Sequence, residues 1–399
     1  MKLQWLKPLL GRSGPFTTVY LDATRADSAG ESEAVDRWRG LRRELEHAGA
    51  PVGVLASLEE AVERPTWVSG PHGRVLIADV DGVCVDRVLA DPPARSVAVY
   101  HAVPALLPAV RAADQTVDYL VIEVDRQGAD LLWPGPSGQV GEVVHDVIDG
   151  GHDVVHKMRE GGMSHRRMQT RAEDSWERNA DAVAAELDRV VAARDPELVL
   201  ITGDVRAVAL VRDGVGQRAA ELLVEVPGGS RAQGVKADVF AQRVRQALEL
   251  FRTRRRELVL SRFRQEKGRD EGAVTELGDV IEVLRRGQVR DLVLAEPPLG
   301  QASSLADRTV WVGPDPLHIG LDRDDLESIG VVDGARELPA EVGLIRAALG
   351  QDAGVTFAVD GSVELIDGVG AVLRWTDPGT PSESVVSQSG DRARLREVV

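Results

Sequence analysis

Gly161 and Gly162 stand inside a basic cluster, and the chain that leaves them carries Met168, Ala172, Trp176, Ala180, Val183, Leu187 and Val190, spaced by three or four. That spacing lines one face of a long amphipathic helix, because an α-helix returns to the same side every ~3.6 residues. Few folds accept such a unit: the apolar stripe must lie against a sheet or another helix, and the glycine loop must stand at the tip. Between Lys157 and Arg171 the basic residues Lys157, Arg159, Arg166, Arg167 and Arg171 face one acid, Glu160, in a chain of formal net charge -16. Residues without Cβ adopt positive φ and let backbone amides approach a phosphate or ribose closely. The pattern predicts a finger that reaches into RNA; a surface turn with solvated arginines would use the same residues.

At 399 residues the chain exceeds what one core supports, so three domains are expected. Its hydrophobic fraction of 43% and charged fraction of 28% suit a globular protein, and 4% aromatic residues argue against stacking platforms for single-stranded nucleic acid. The acidic balance opposes indiscriminate binding to nucleic acid, so an RNA partner is met by local basic patches, and DNA is not expected. Cys84, the one cysteine, excludes an internal disulfide and sits in an apolar Val-Cys-Val run that fits a buried, inert thiol. The Lys and Pro within the first ten residues do not fit a signal peptide, and no run reaches membrane-spanning length, which suits a cytoplasmic protein.

The expected first domain, residues 1–112, has a strand at Phe16–Leu21, a charged helix at Glu31–His47, and a hairpin of Val75–Ala78 and Val83–Val85 around Asp79-Val80-Asp81-Gly82; the prolines at 92–93 and the stretch Val103–Pro108 punctuate its end. The second, 113–260, has a hairpin of Tyr119–Val124 and Ala129–Trp133, the glycine loop and its helix, then strands at Leu198–Ile201 and Glu221–Val226. A helix between Val239 and Lys267 bridges onward, and its Arg252, Arg254, Arg255, Arg256, Arg262, Arg264 and Lys267 read as a solvated face or, alternatively, as an RNA contact. The third, 261–376, alternates a helix over Thr275–Leu284, a strand at Asp291–Ala295, a helix at Leu338–Leu349, and strands at Val355–Val359 and Val369–Trp375. Residues 377–399 lack apolar periodicity and read as a disordered tail. The fold class is therefore α/β.

Gly161-Gly162-Met163-Ser164 through Trp176, with Ser-x-x-Arg after the glycines, resembles the central domain of archaeal and eukaryotic peptide-chain release factors and of Pelota. Leu277-Gly278-Asp279-Val280, the run Gly287–Leu294, and Gly368–Trp375 are similar to the start and end of that family's third domain. The likeness extends to the bacterial archaeo-eukaryotic release-factor-type proteins, in particular an actinobacterial branch resembling the ribosome hibernation factor Balon. It implies an N-terminal α/β domain directed at the decoding centre, a central RNase-H-like α/β domain whose loop points at the peptidyl-transferase centre, and a C-terminal α/β/α sandwich that binds partner proteins such as elongation factor Tu. Members that hydrolyse peptidyl-tRNA have Gly-Gly-Gln, whereas the third position here is Met163, whose thioether cannot replace an amide's hydrogen bonds. Its backbone N–H could still stabilise an oxyanion. Gln169 lies six residues on, within the expected helix.

The resemblance thus implies a noncatalytic factor on the ribosomal A site, touching 23S and 16S rRNA through Lys157, Arg159, Gly161, Gly162, Met163, Ser164, His165, Arg166, Arg167 and Arg171. The alternatives are a peptidyl-tRNA ester hydrolase using Gly161 to His165, and a protein scaffold working through the third domain. His152 and His156 have the spacing of a metal pair but lack a third ligand, so neither metal nor cofactor is expected. Ser164 and His165 are adjacent and lack an orienting acid, which does not make a nucleophile and base. Gly214-Val-Gly216 lacks the rest of a dinucleotide fingerprint and reads as a turn.

Overall fold

The computed structural model describes residues 3–12, 14–24, 31–66, 71–134, 143–149, 164–231, 237–269, 271–296, 303–359 and 361–381. A short 3-10 helix, Gln4–Leu9, leads into β1 (Phe16–Asp22), followed by α1 (Glu31–His47) and α2 (Val52–Glu63). Then come β2 (Gly73–Asp79), β3 (Gly82–Leu89), β4 (Val97–His101) and α3 (Leu107–Gln115). The strands form an antiparallel sheet in the order β3-β2-β1-β4. In the expected hairpin Asp79 pairs with Gly82 across Val80-Asp81, and the Asp79 carboxylate accepts the Asp81 N–H at 2.9 Å. Because successive side chains alternate between faces, Val19, Leu21, Leu76 and Ala78 pack on Trp38, Leu45 and Leu55 of the two helices, while Phe16, Tyr20, Val75 and Ile77 point the other way. Both faces are covered, so β2 is buried at every position.

The second sheet contains β5 (Tyr119–Val124), β6 (Gly128–Pro134), β7 (Val143–Asp149), β8 (Leu198–Gly203) and β9 (Leu223–Glu225), in the order β7-β6-β5-β8-β9. The β5-β6-β7 pairs are antiparallel, and β5, β8 and β9 run parallel, an RNase-H-like arrangement. Between β7 and β8 lies α4 (Ser164–Arg194); α5 (Val205–Gly214) and α6 (Gln217–Leu222) precede β9, and α7 (Ala237–Gly268) follows it. The predicted stripe on α4 holds from Ala180 onward: Ala180, Val183, Leu187 and Val190 are buried against Leu120, Ile122, Leu131 and Ile201. The opposite sheet face, with Tyr119, Val121, Leu198 and Leu200, is covered by Val244 and Leu248 of α7. The strand expected at Glu221–Val226 is corrected, since Glu221 and Leu222 close α6 and the strand begins at Leu223. Gly214 ends α5 and Gly216 caps α6, donating its N–H to the Asp188 carboxylate at 2.9 and 3.1 Å, so the Gly-x-Gly is the junction of two helices.

The third region contains β10 (Ala273–Thr275), α8 (Leu277–Arg285), β11 (Val289–Glu296), β12 (Thr309–Val312), β13 (Ile319–Gly320) and α9 (Arg323–Ser328). It ends with β14 (Arg336–Pro339), α10 (Ala340–Gly350), β15 (Gly354–Val359) and β16 (Val369–Leu373). The main sheet runs β10-β16-β11-β15, and β13-β12-β14 form a smaller antiparallel one. Leu260 and Phe263 of α7 cover one face of the main sheet and α8 with α10 the other, which makes an α/β/α sandwich. The helix expected from Leu338 starts at Ala340, because Leu338 and Pro339 pair in β14. The first residues of the expected tail are tied to the third region, since Asp377 meets Arg286 at 3.2 Å and Thr380 accepts from Gln288 at 2.8 Å; 382–399 lie outside the described residues.

Two features went beyond the sequence pattern. The inner face of the first sheet and the α8–α10 side of the third region form one continuous apolar core, in which Leu6, Tyr20, Ile77 and Val110 join Leu284, Leu344 and Phe357. And α7 divides its apolar contacts, with Val244 and Leu248 against the second sheet and Leu260 and Phe263 against the third.

Candidate functional site

The described part of the site is the foot of the glycine-loop helix. Gly128 of β6 pairs with Asp149, the last residue of β7, so the segment that holds the glycine loop leaves the sheet at the end where the β5–β6 turn lies. That turn is built by Asp125, whose Oδ1 accepts the backbone N–H of Gln127 at 2.8 Å and of Gly128 at 3.0 Å. This is the local hydrogen bonding by which Asp favours turns.

Arg126, at the tip of this turn, is gripped at both ends by α4. Its carbonyl accepts from Nδ2 of Asn179, a residue only 1% exposed, at 3.0 Å, and its guanidinium lies 4.4 Å from the centre of the Trp176 ring. Its Nε also reaches Oδ2 of Asp204 at 3.3 Å. Asp204 in turn caps α5, accepting the N–H groups of Arg206 at 2.9 Å and Ala207 at 3.3 Å. Just before it, Gly203 has φ +131, and a Cβ there would meet the Val124 carbonyl oxygen at 1.9 Å, so the close approach of β8 to β5 requires glycine. At the other end of β6, Arg194 stacks on Trp133 with 3.8 Å between guanidinium and ring centre, so α4 runs along the sheet. From Ser164 to Trp176 the helix advances about 18 Å at its ordinary rise of about 1.5 Å per residue. Its first turns therefore extend beyond the foot.

Carboxylates gather at this sheet end, and arginines hold them. Arg231 reaches Asp125 at 2.8 Å and Asp130 at 2.9 Å, and Arg126 takes Asp204. Among the described residues no group of three or more His, Cys, Asp or Glu is arranged to hold a metal. Among the described residues, the arrangement braces a helix.

Of the predicted site residues, Ser164, His165, Arg166, Arg167 and Arg171 fall in the first turns of α4, as does Gln169. Lys157, Arg159, Gly161, Gly162 and Met163 lie outside the described residues, as do His152 and His156. The reading of the basic residues of α7 is corrected at four positions, since Arg252 and Lys267 are half-buried as well as Arg255 and Arg256. Arg255 and Arg256 are half-buried, donating to Asp114 and Glu197, while Arg254, Arg262 and Arg264 are exposed as a solvated face requires. Cys84 is half-buried, with its thiol pushed up in pKa by burial and by the Asp79 carboxylate, which keeps it protonated and unreactive. Sequence reasoning missed Arg126, Asn179, Asp204 and Arg231. The Asp125-x-x-Gly128 turn was legible, but no local signal marks Arg231 as its partner, some hundred residues away.

Comparison with known proteins sharpens this picture. Residues 118–269, which open one position before β5 and close one position after α7, match the model of bacterial archaeo-eukaryotic release factor family 2. This defines a release-factor-like protein. An uncharacterised protein of Mycobacterium tuberculosis strain H37Rv, Rv2629, is 31% identical over 389 residues, covering 94% of this chain and 97% of its own, and its counterpart in strain CDC 1551 matches equally. The chain belongs to the bacterial archaeo-eukaryotic release-factor-like family.

Among solved structures, the archaeal translation termination factor aRF1 is similar at 15% identity over 94% of this chain and 96% of its own, with a TM-score of 0.21. Archaeoglobus fulgidus Pelota is similar at 12% identity over 94% and 92%, with a TM-score of 0.30. Ribosome-bound archaeal Pelota is similar at 12% identity over 93% of each chain, with a TM-score of 0.35. At TM-scores this low the superpositions say nothing about function. No helix among the described residues is long and apolar enough to cross a membrane.

Proposed function

We propose that the protein is a ribosome-binding translation factor of the hibernation type, related to the Balon branch of its family and working in the cytoplasm. In this reading it occupies the ribosomal A site with its glycine loop toward the peptidyl-transferase centre and its first domain toward the decoding centre. Family membership supports the translation role. The observation that carries the pose is the braced helix, whose start extends about 18 Å beyond its foot at ~1.5 Å per residue and bears Arg166, Arg167 and Arg171. Lys157 and Arg159 add to that charge, neutralising phosphates of 23S rRNA, while Gly161 and Gly162 let the backbone approach and Met163, Ser164 and His165 line the tip. Contacts to 16S rRNA fall to the first domain and those to elongation factor Tu to the third.

Co-sedimentation with ribosomes tests this. Neutralising five phosphates gives a log–log salt slope on the order of -4, and alanine at Lys157, Arg159, Arg166, Arg167 and Arg171 should abolish pelleting. Unchanged pelleting of that variant overturns the assignment. The retained Gly161-Gly162 pair favours a second reading, a peptidyl-tRNA ester hydrolase acting through loop amides. Ribosomes carrying labelled peptidyl-tRNA separate the two: binding without peptide release supports the hibernation role, and release that depends on Gly161 and Gly162 supports the hydrolase. Binding of elongation factor Tu is checked by pull-down with and without ribosomes.

A further inference from the structure

On the sheet face opposite α4, a groove of about 370 Å3 opens between β9 and α7. Its lining includes the buried Leu198 and Val226 and the partly exposed Phe251, and its rim carries Leu250, which is 58% exposed, and Val224, which is 38% exposed. Contiguous apolar surface left in water, as Leu250 and Val224 form with this floor, marks a contact site more often than singly exposed residues do. The exposed apolar residues of α7, namely Val239, Leu250 and Leu258, fall within an arc of about 100° at ~3.6 residues per turn, which is one stripe. β9 is the outermost strand of its sheet, and among the described residues nothing pairs with its outer edge.

The charge around this apolar floor is predominantly positive. Arg243 is held at the rim by donating Nη1 to the Pro227 carbonyl at 2.7 Å, and Arg254 is exposed with no partner among the described residues. Glu225, the acid of the groove, is taken by Arg212 at 2.8 Å. Among the described residues, no carboxylate pairs with either of these guanidinium groups, in a protein whose formal net charge is -16. An RNA segment would find phosphate partners here but no stacking platform, since the floor is mainly aliphatic. An extended peptide fits better. Its backbone would pair with the β9 edge, alternate side chains would drop onto the floor, and its acids would meet the arginines.

We propose that the groove between β9 and α7 docks an extended segment of a partner protein, apolar at alternate positions and flanked by Asp or Glu. The test is selection of displayed random peptides on the full chain. The expected winners alternate Leu, Ile, Val or Phe with acids, and their affinity falls about tenfold or more on Leu250→Asp, as for an apolar anchor at the centre of an interface. Arg254→Glu, at an exposed position that the fold does not use, should switch the selected flanking charge from acidic to basic. Winners without charge preference, a selected charge that does not change with Arg254→Glu, or a single-stranded RNA probe that binds more tightly than the peptides and loses affinity on the same substitution would each overturn the proposal.

Discussion

The seam between the first and third regions and the seam around the central sheet are built on opposite principles. Between the first and third regions the contact is a dry core: the 3-10 helix and α3 pack on α10 and β15 through Leu6, Val110, Leu344 and Phe357, all 2% exposed or less. Around the central sheet the chain is held by α7 and by a polar node. There Arg255 donates to Glu197 at 3.0 Å, to the Thr116 carbonyl at 3.4 Å and to the Asp114 carbonyl, while Arg256 donates to Asp114 Oδ2 at 3.1 Å. Apolar burial is non-directional and scales with area, whereas a guanidinium node depends on geometry and on keeping water out. The first and third regions therefore share one core, and the seam at the glycine-loop domain is the one expected to act as a hinge. Under the proposed function, that division leaves the adjustment to the domain carrying the glycine loop.

The comparison breaks most visibly at Leu6. Leu6→Ala removes a fully buried side chain from the shared core and should cost about 2–5 kcal/mol, the usual range for such truncations. Amide exchange should accelerate together in β2, β11 and β15. Acceleration confined to the first sheet would show that the two regions do not share a core. Next in size is Arg255→Ala, which takes the guanidinium from the mostly buried Glu197 and from the Asp114 and Thr116 carbonyls while Arg256 still holds the Asp114 carboxylate, and should cost on the order of 1–3 kcal/mol. Its signature is a larger radius of gyration with β11 protection unchanged; a compact molecule with lost β11 protection would contradict the hinge.

Much of this plan was legible in the residues. Period separated α4 and α7 from the strands, and α1 occupies Glu31–His47 as expected, because a charged run with one apolar stripe has few other uses. The misses have particular causes. Pro108 read as punctuation, yet at the start of α3 it occupies a place where its missing N–H is no loss. β4 is an edge strand with Val97 and Val99 exposed, and β7 mixes His and Asp into its valines, so neither shows an apolar-polar alternation in its sequence. β12 to β14 are short strands whose pairing depends on tertiary context. The shared core was invisible because alternation reveals that a face is buried without revealing what buries it. Arg255 and Arg256 looked like a solvated run because their partners lie more than fifty residues away.

A smaller effect separates ties inside the rigid body from ties at the hinge. Burial pushes the Asp79 carboxyl up, but hydrogen bonds from Arg12 at 2.6 Å and from the Asp81 N–H outweigh it and hold its pKa below the ordinary value. A depressed folded pKa contributes stability that is complete above the unfolded value and is lost as pH falls through the folded one. Acid should therefore loosen the β2–β3 turn, seen as faster exchange at Asp81 and Gly82, without opening the hinge, and Asp79→Asn should remove that part of the pH dependence. Acid-dependent exchange that persists in Asp79→Asn would assign the effect to another carboxylate.

The smallest expected effect bears directly on what holds the apolar seam. Lys7 and Asp352 form an ion pair across it at 2.6 Å, with side chains 40% and 60% exposed. Exposed pairs of this kind contribute ~0–1 kcal/mol, because water screens the attraction and ordering both side chains costs entropy. Lys7→Met keeps the aliphatic stem and removes the charge, so urea unfolding should show a midpoint shift of that size at most, smaller still in high salt. A loss above about 2 kcal/mol would mean that the first and third regions depend on this pair, since core burial alone predicts near-indifference to it. In that case both seams would be polar, and the central domain would have no single rigid body to move against.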